Sequence, residues 1–510
     1  MDCKSQKSII VGRTGAGKSA LLYQLTRSCE HIVKLSPHSL SLNFIASNKV
    51  IAFFEEAGVN LSPFYVLLWR HLLVVELLKD KFRIVNEDNQ RKFIQNIKAA
   101  LHKGDRYKDL ALEYLENWGD KFWLTTEQRV HELTERVETS LKAGASFGIA
   151  EQKLSGEAAR NLSSEQKKNV IEHGLDVVNK VQIRELDNML IVLEQNVFDD
   201  SRNPYYITID MLDEDWADER IKYKLIRALI DVVKRFRCLT NVKIILAIRQ
   251  DLLHKVIYLE AAPGFQEEKY KSLYLNLGWD KKALTEIVET RIKSLVERRY
   301  TRKPVCFYDI FPAKVDHQNT LDYMLDRTFM RPRDIIVFIN ECLELAEGKN
   351  QITAEIVKDA ELNYSKERLI SLAYEWSLFL PYLNVTARLF YGLPTSFELG
   401  VLDEKYFTDK YDELMAEITD DTRDPITRQL SSIYQSGSNF QSIRNYIIRE
   451  FYRIGLIGIK SSPNEPKKWS YLNNQTTLVA SEVKSTSIVY IHPIFYRALG
   501  INLRPNKHAQ

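Results

Sequence analysis

A glycine-rich segment near the start of the chain carries side chains suited to binding phosphate. The run from Gly12 to Ser19, GRTGAGKS, fits the pattern G-x-x-x-x-G-K-[S/T] at every fixed position. Glycines let backbone N–H groups approach phosphate oxygens, and the N-terminus of a following helix adds partial positive charge. In such a loop Lys18 contacts the β- and γ-phosphates, while the Ser19 hydroxyl ligates Mg²⁺. The predicted phosphate-binding positions are Gly12, Gly15, Gly17, Lys18, Ser19 and Ala20.

A second segment, PYYITIDMLDEDW at 204–216, supplies an acid for the same metal ion. Asp210 directly follows a β-branched and aromatic run, and a carboxylate at that point can hold Mg²⁺ through water. We expect Ser19 and Asp210 to close around one ion despite their separation in the chain. Either Asp213 or Glu214 could orient the attacking water, and the residues alone do not choose between them. A solvated acidic loop is the alternative, because further acids follow.

An arginine follows the next apolar run, NVKIILAI at 241–248. In sheet NTPases with an additional central strand, the strand beside the metal-binding strand ends in a polar residue that senses the γ-phosphate. Arg249 stands at that point. The alternative role for Arg249 is a salt bridge, either to Asp251 or to the acidic run after Asp210.

Two further arginines flank Pro332 in TFMRPRDIIVFINECLELA at 328–346. The residues after them have apolar side chains three and four positions apart, which predicts a helix. Arg333, at the base of such a lid helix, could reach the nucleotide and couple loss of phosphate to movement of the lid. An exposed pair of Arg331 and Arg333 is the alternative.

The elements that must position these residues follow from the flanking sequence. KSIIV before the glycines predicts a strand and SALLYQL after them predicts a helix, as a phosphate loop requires. Near the other end, QSIRNYIIREFYRIG at 441–455 predicts a helix ending at a glycine C-cap. LIGI, WSYL and STSIVYIH predict three short strands after it. A helix followed by a small hairpin outlines a winged helix, which binds DNA or docks a protein.

Together the motifs resemble those of AAA+ and STAND P-loop ATPases. PFYVLLWRHLL, TIDMLDEDW, RPRDIIVFINECLE and IHPIFYRALGI are similar to a family of bacterial cytosolic P-loop ATPases, often encoded near phage-defence genes. The resemblance implies ATP binding through Gly17, Lys18 and Ser19. It also implies metal binding through Asp210 and nucleotide sensing by Arg249 and Arg333. The chain departs from the pattern in three ways: few residues precede the first strand, Met330 and Arg331 stand where glycine is favoured, and the interval before Asp210 is long.

The length of 510 residues exceeds one hydrophobic core and predicts several domains. We expect an α/β fold with a P-loop NTPase parallel sheet of AAA+/STAND type in residues 1–300, carrying a large helical insertion at about 85–200. A helical lid should occupy 301–375 and a winged-helix-like domain 376–510. The insertion carries no motif, and it is either a partner-sensing element or a set of scaffold helices.

Composition limits the compartment and the partners. A net charge of +3 over this length is near neutral, so any basic surface for nucleic acid must be local. The five cysteines form no CxxC pair and suit reduced thiols in the cytoplasm. The apolar segment 64–78 predicts a buried helix that begins near Ser62 and Pro63. It is too short to cross a bilayer, and no secretion signal is expected. We therefore expect a cytoplasmic protein without a membrane partner.

The predicted function is an ATPase with Mg²⁺ as cofactor, acting as a nucleotide-driven conformational switch. The predicted catalytic residues are Lys18, Asp213, Glu214, Arg249 and Arg333, and the metal ligands are Ser19 and Asp210. A homo-oligomer and a partner effector in anti-phage defence are expected. Two alternatives remain open: a nucleotide-gated oligomerising module with little turnover, and an ATPase stimulated by DNA.

Overall fold

The computed structural model describes most of the chain outside the predicted insertion. The described residues are 5–38, 42, 49–82, 135, 139, 163–168, 170–171, 190, 198, 202–258, 268–299, 303–377, 379–419, 424–434, 439–472 and 478–503. Most of the predicted insertion at about 85–200 therefore lies outside the described residues. By their contacts the described residues form two units. The first unit comprises the described residues within Met1–Arg13 and Lys18–Leu277. The second unit comprises Thr14–Gly17 and the described residues within Gly278–Gln510.

The first unit is built on a five-stranded parallel sheet in the order β2-β3-β4-β1-β5. The strands are β1 (Ile9–Gly12), β2 (His31–Leu35), β3 (Tyr205–Ile209), β4 (Val242–Arg249) and β5 (Tyr274–Asn276). The strands β1, β3 and β4 are buried almost throughout and rich in isoleucine and valine, as expected for a parallel sheet covered on both faces. The predicted α/β class is confirmed.

Several helices accompany this sheet. They are α1 (Lys18–Ser28), α2 (Lys49–Glu56), α3 (Ser62–Phe82), α4 (Glu219–Arg235), α5 (Gln250–Tyr258) and α6 (Glu268–Lys271). The apolar segment predicted as a buried helix is α3, and the Trp69 indole N–H donates to the Leu225 carbonyl of α4 at 2.8 Å. No described helix has the length and apolarity needed to cross a membrane.

The order of the strands decides which residues meet. The carboxyl ends of parallel strands lie at one edge of a sheet, where ligands of α/β proteins commonly bind. Here β4 lies between β1 and β3, and Gly12 at the end of β1 is in register with Arg249 at the end of β4. The residue after β3, Asp210, follows at the same edge. The sheet thus gathers the ends of the three strands that carry the sequence motifs.

The first half of the second unit is mainly helical. It contains α7 (Lys281–Arg299), the hairpin β6 (Lys314–Val315) and β7 (Gln318–Asn319), α8 (Thr320–Asp326), α9 (Pro332–Leu345) and α10 (Ala354–Trp376). The helix predicted after the arginine pair is α9, and its first residue is Pro332, where a missing N–H costs nothing. It packs on α10, with the rings of Phe338 and Tyr364 stacked at 4.5 Å between centroids.

The second half combines short helices with a three-stranded antiparallel sheet in the order β8-β10-β9. The helices are α11 (Leu383–Thr386), α12 (Glu404–Met415), α13 (Pro425–Ser431) and α14 (Phe440–Ile454), and the strands are β8 (Ser396–Glu398), β9 (Ile457–Lys460) and β10 (Ile488–Ile491). The predicted cap of α14 is confirmed, because Gly455 follows it with a left-handed φ of 86°.

One predicted strand is wrong. WSYL at 469–472 forms a turn in which the Leu472 N–H donates to the Trp469 carbonyl at 3.3 Å. Pairing with β9 is limited to a single bridge between Lys468 and Ile459. The Trp469 ring lies flat against Gly458, where a Cβ would stand 2.8 Å from it. The aromatic residues of this segment therefore serve packing, and the third strand of the sheet is β8.

Candidate nucleotide site

The glycine-rich segment connects a strand to a helix, as the sequence predicts. The strand β1 ends at Gly12 and α1 begins at Lys18. Gly15 and Gly17 have φ values of 80° and 96°, in the left-handed region that side chains with a Cβ rarely adopt. Ala20 lies exposed in the first turn of α1. The loop conformation thus depends on glycine at two of the predicted positions.

Ser19 and Asp210 meet directly. The Ser19 hydroxyl donates to Asp210 Oδ2 at 2.7 Å, and the other carboxylate oxygen accepts the N–H of Met211 at 2.9 Å. Met211 has a φ of 63°, so the chain turns sharply after β3 and keeps the carboxylate at the edge of the sheet. Hydroxyl and carboxylate oxygens are the ligands that Mg²⁺ takes in proteins. The pair therefore fits a magnesium ion.

Lys18 lies in the same part of the first unit. Its ammonium donates to the carbonyls of Gly12 at 3.0 Å and Arg13 at 3.2 Å. Burial lowers the pKa of Lys18, and the nearby carboxylates of Asp213 and Asp210 oppose that shift. This region therefore holds a partly buried cation near two acids. A triphosphate would pair with the cation, and a divalent ion would pair with the acids.

Arg249 holds two carboxylates at the end of β4. Its guanidinium donates to both oxygens of Asp251, from Nε at 3.0 Å and from Nη2 at 2.7 Å, and from Nη1 to Asp213 Oδ2 at 3.2 Å. Both salt bridges named as the alternative role are therefore formed. A fork of this kind is a strong and geometrically defined contact. Arg249 thereby fixes the position of Asp213 beside Lys18.

The two acids considered for water positioning point to different partners. Asp213 contacts Arg249 and contributes to the field at Lys18. Glu214 instead faces His38, with 3.4 Å between Glu214 Oε2 and His38 Nε2. Of the two acids, Asp213 is the one held near Lys18, a distinction that the sequence could not make.

Arg331 and Arg333 contact the middle of the glycine-rich segment within the second unit. Arg331 Nη1 donates to the Thr14 carbonyl at 2.8 Å. The backbone N–H of Arg333 makes a longer hydrogen bond of 3.5 Å to the Gly15 carbonyl. A Cβ added to Gly15 would lie 2.7 Å from the Cβ of Arg333, so glycine is required beneath this side chain. The predicted residue Arg333 thus touches the loop, but the buried guanidinium is that of Arg331.

Arg331 is only 7% exposed and is held by acids from two helices. Its Nε donates to Asp334 Oδ2 of α9 at 2.9 Å, and Nη1 donates to Glu375 Oε2 of α10 at 3.2 Å. Burial by itself would lower the pKa of Arg331, but the two carboxylates raise it above its ordinary value. The guanidinium therefore stays charged and fixed.

Sequence reasoning missed Trp279. Its indole N–H donates to the Ala16 carbonyl at 2.9 Å, and its ring lies 3.7 Å from the position of a Cβ on Gly17. The only signal in the sequence is a tryptophan shortly after β5, in LNLGWDKK, and its contact depends on packing that no local pattern encodes.

Comparison with known proteins finds two similarities. Residues 282–373 match the model of the FunZ-associated C-terminal helical domain, a segment that holds Arg331 and Arg333. Over 520 aligned residues the chain is 22% identical to the transposon gamma-delta 80.3 kDa protein of Escherichia coli (strain K12). The alignment covers 98% of this chain and 63% of that protein, so the chain spans less than two thirds of its relative.

Proposed function

We propose that this chain binds Mg-ATP, hydrolyses it and uses the cycle as a conformational switch. The observation that carries the proposal is the 2.7 Å hydrogen bond between Ser19 and Asp210, with Lys18 next in the chain to Ser19. The order of strands also supports it, since β4 lies between the strand before the loop and the strand before the acid. That arrangement suits the ATPases with an additional strand that the sequence resembles.

Each residue of the cluster has a chemical role in the proposal. Lys18 binds the β- and γ-phosphates, and Ser19 and Asp210 hold Mg²⁺, directly or through water. The ion neutralises charge on the phosphate oxygens. Asp213 orients the attacking water, and Arg249 holds Asp213 in place. In this proposal Arg333 reports the γ-phosphate to the lid.

Phosphate release and nucleotide binding test the proposal with wild type and Lys18→Ala. We expect measurable Mg-dependent turnover in wild type and a large loss of ATP affinity in the variant, because the partly buried cation proposed to bind the phosphates is removed. Lys7 on the same unit provides a matched lysine-to-alanine control. Equal ATP affinity of wild type and Lys18→Ala would show that the nucleotide does not bind at this cluster.

The alternative to a hydrolysing switch is a nucleotide-gated oligomerising module with little turnover. The resemblance to STAND-type ATPases and to a family encoded near defence genes supports a homo-oligomer that recruits an effector protein. Mass measurement with and without a non-hydrolysable ATP analogue separates the two. A rise in mass with negligible turnover favours the gated module, whereas rapid turnover at constant mass favours the simple switch.

A DNA-stimulated ATPase is the second candidate, because the relative of 22% identity is named as a transposon protein. The helix of the predicted winged helix, α14, gives DNA binding little support. Arg444 is 5% exposed and donates to Ser485 at 3.0 Å, while Arg453 pairs with Glu450. Arg449 is the exposed arginine of α14. Turnover that does not respond to DNA at low salt would exclude this candidate.

A further inference from the structure

Three consecutive carbonyls of the glycine-rich segment accept hydrogen bonds from later parts of the second unit. The range Thr14–Ala16 receives them in order from the Arg331 guanidinium at 2.8 Å, the Arg333 backbone N–H at 3.5 Å and the Trp279 indole at 2.9 Å. We call these donors the carbonyl clamp. Two of them are side chains, from residues 263 and 317 positions along the chain from their acceptors.

The clamp determines where the backbone N–H groups of the loop point. A peptide unit is planar and trans, so the carbonyl of one residue and the N–H of the next point in opposite directions. Donors that hold the carbonyls of Thr14–Ala16 on one side therefore direct the N–H groups of Gly15–Gly17 to the other side. Those N–H groups are the ones that a phosphate loop uses to bind its anion.

We propose that Trp279 and Arg331 are positioning residues that orient the loop amides for phosphate. The inference rests on the proposed function and deepens it by naming what regulates the same loop. Arg331 is fixed by Asp334 of α9 and Glu375 of α10, so a shift of either helix moves a donor of the clamp. Phosphate affinity is therefore coupled to the packing of α9 and α10, and the coupling acts equally in both directions.

The clamp predicts a pattern of affinities that distinguishes it from contact with the base. Trp279→Phe keeps an aromatic ring against Gly17 but removes the N–H that holds the Ala16 carbonyl. Loss of one such hydrogen bond weakens binding by about fivefold. Because the clamp acts on the phosphate cradle, the same factor should apply to Mg-ATP and to inorganic tripolyphosphate. A role in contacting the base would weaken ATP binding alone.

Trp376→Phe is the matched control, because the indole nitrogen of Trp376 has no hydrogen-bond partner among the residues that the structure describes. We expect it to bind both ligands as wild type does. Arg331→Lys tests the second side-chain donor, and it should also weaken both ligands because an ammonium cannot reproduce the fork to three acceptors. These measurements use the full chain and calorimetric titration.

Parallel weakening by both clamp variants supports the inference. Unchanged tripolyphosphate affinity in Trp279→Phe, or equal losses in Trp376→Phe, overturns it. If wild type itself binds neither ATP nor tripolyphosphate, the proposed function fails, which is a different outcome from a clamp variant that binds as wild type does.

Discussion

The hydroxyl of Ser19 and the carboxylate of Asp210 share a 2.7 Å hydrogen bond across 191 positions of sequence. Ser19 lies in the first turn of α1 and Asp210 directly follows β3, so the bond joins the two motifs through the sheet. A chance pairing of a loop serine with a surface acid would not need both residues at the carboxyl edge of parallel strands. The proposed magnesium site depends on this pair.

Asp213 and Glu214 should differ in their effect on turnover. Asp213 is held by Arg249 beside Lys18, whereas Glu214 faces His38. Asp213→Asn should lower kcat by about 100-fold, because the proposed function loses the carboxylate that orients the attacking water. Its affinity for ATP should change little. Steady-state phosphate release measures both quantities.

Glu214→Gln is the matched control for that variant, because it also replaces a carboxylate by an amide, at the neighbouring position. We expect its kcat to stay within about twofold of wild type. A large loss in Glu214→Gln with normal turnover in Asp213→Asn would reverse the assignment.

At Met330, glycine should give a more stable protein than alanine, the reverse of the order in a helix. Its φ of 52° lies in the left-handed region, which costs a residue with a Cβ about 1 kcal/mol. Met330→Gly should therefore be more stable than Met330→Ala by about that amount, measured by chemical denaturation. This strain also gives a physical reason for glycine in the pattern that the sequence resembles.

Ile370, 52% exposed in the interior of α10, provides the control for that comparison. In a helix interior alanine is more favourable than glycine by about 1 kcal/mol. Ile370→Ala should therefore be more stable than Ile370→Gly. The same order at both positions would contradict the strain at Met330.

Glu450 should make the fold less stable as pH rises. Burial raises the pKa of Glu450 above its ordinary value of 4.5, although Arg453 and Arg449 lower it in part. A carboxyl group with a raised pKa binds its proton more tightly in the folded state, so its stabilising contribution is lost as pH increases through that folded pKa. The free energy of unfolding of wild type minus that of Glu450→Gln should therefore fall from about pH 4 to about pH 7. A difference that rises over this interval would contradict the pKa direction.

Much of the fold could be predicted because the motifs follow strongly patterned strands and helices. The α/β class, the helix α3 and the glycine end of α14 all follow from local sequence. WSYL at 469–472 was misjudged because a β-rich composition cannot distinguish a strand from aromatic residues packed in a turn. β8 at Ser396–Glu398 carried too few residues to be recognised.

The candidate site could be predicted only in part. Ser19, Asp210 and Lys18 belong to known local patterns, and the structure brings them into one cluster. The division between Asp213 and Glu214, and the contact of Arg331 with Thr14, depend on partners distant in sequence. Trp279 illustrates the same limit, because its acceptor lies 263 positions earlier.

ATP affinity, measured by calorimetry with Mg²⁺ and with EDTA, tests the proposed magnesium site. Wild type should bind ATP more tightly with Mg²⁺ by about tenfold or more, because Ser19 and Asp210 would hold the ion in the proposed site. Asp210→Asn and Ser19→Ala should each lose most of that magnesium-dependent gain while retaining the affinity measured in EDTA. An equal magnesium-dependent gain in wild type and both variants would show that Ser19 and Asp210 do not hold the ion.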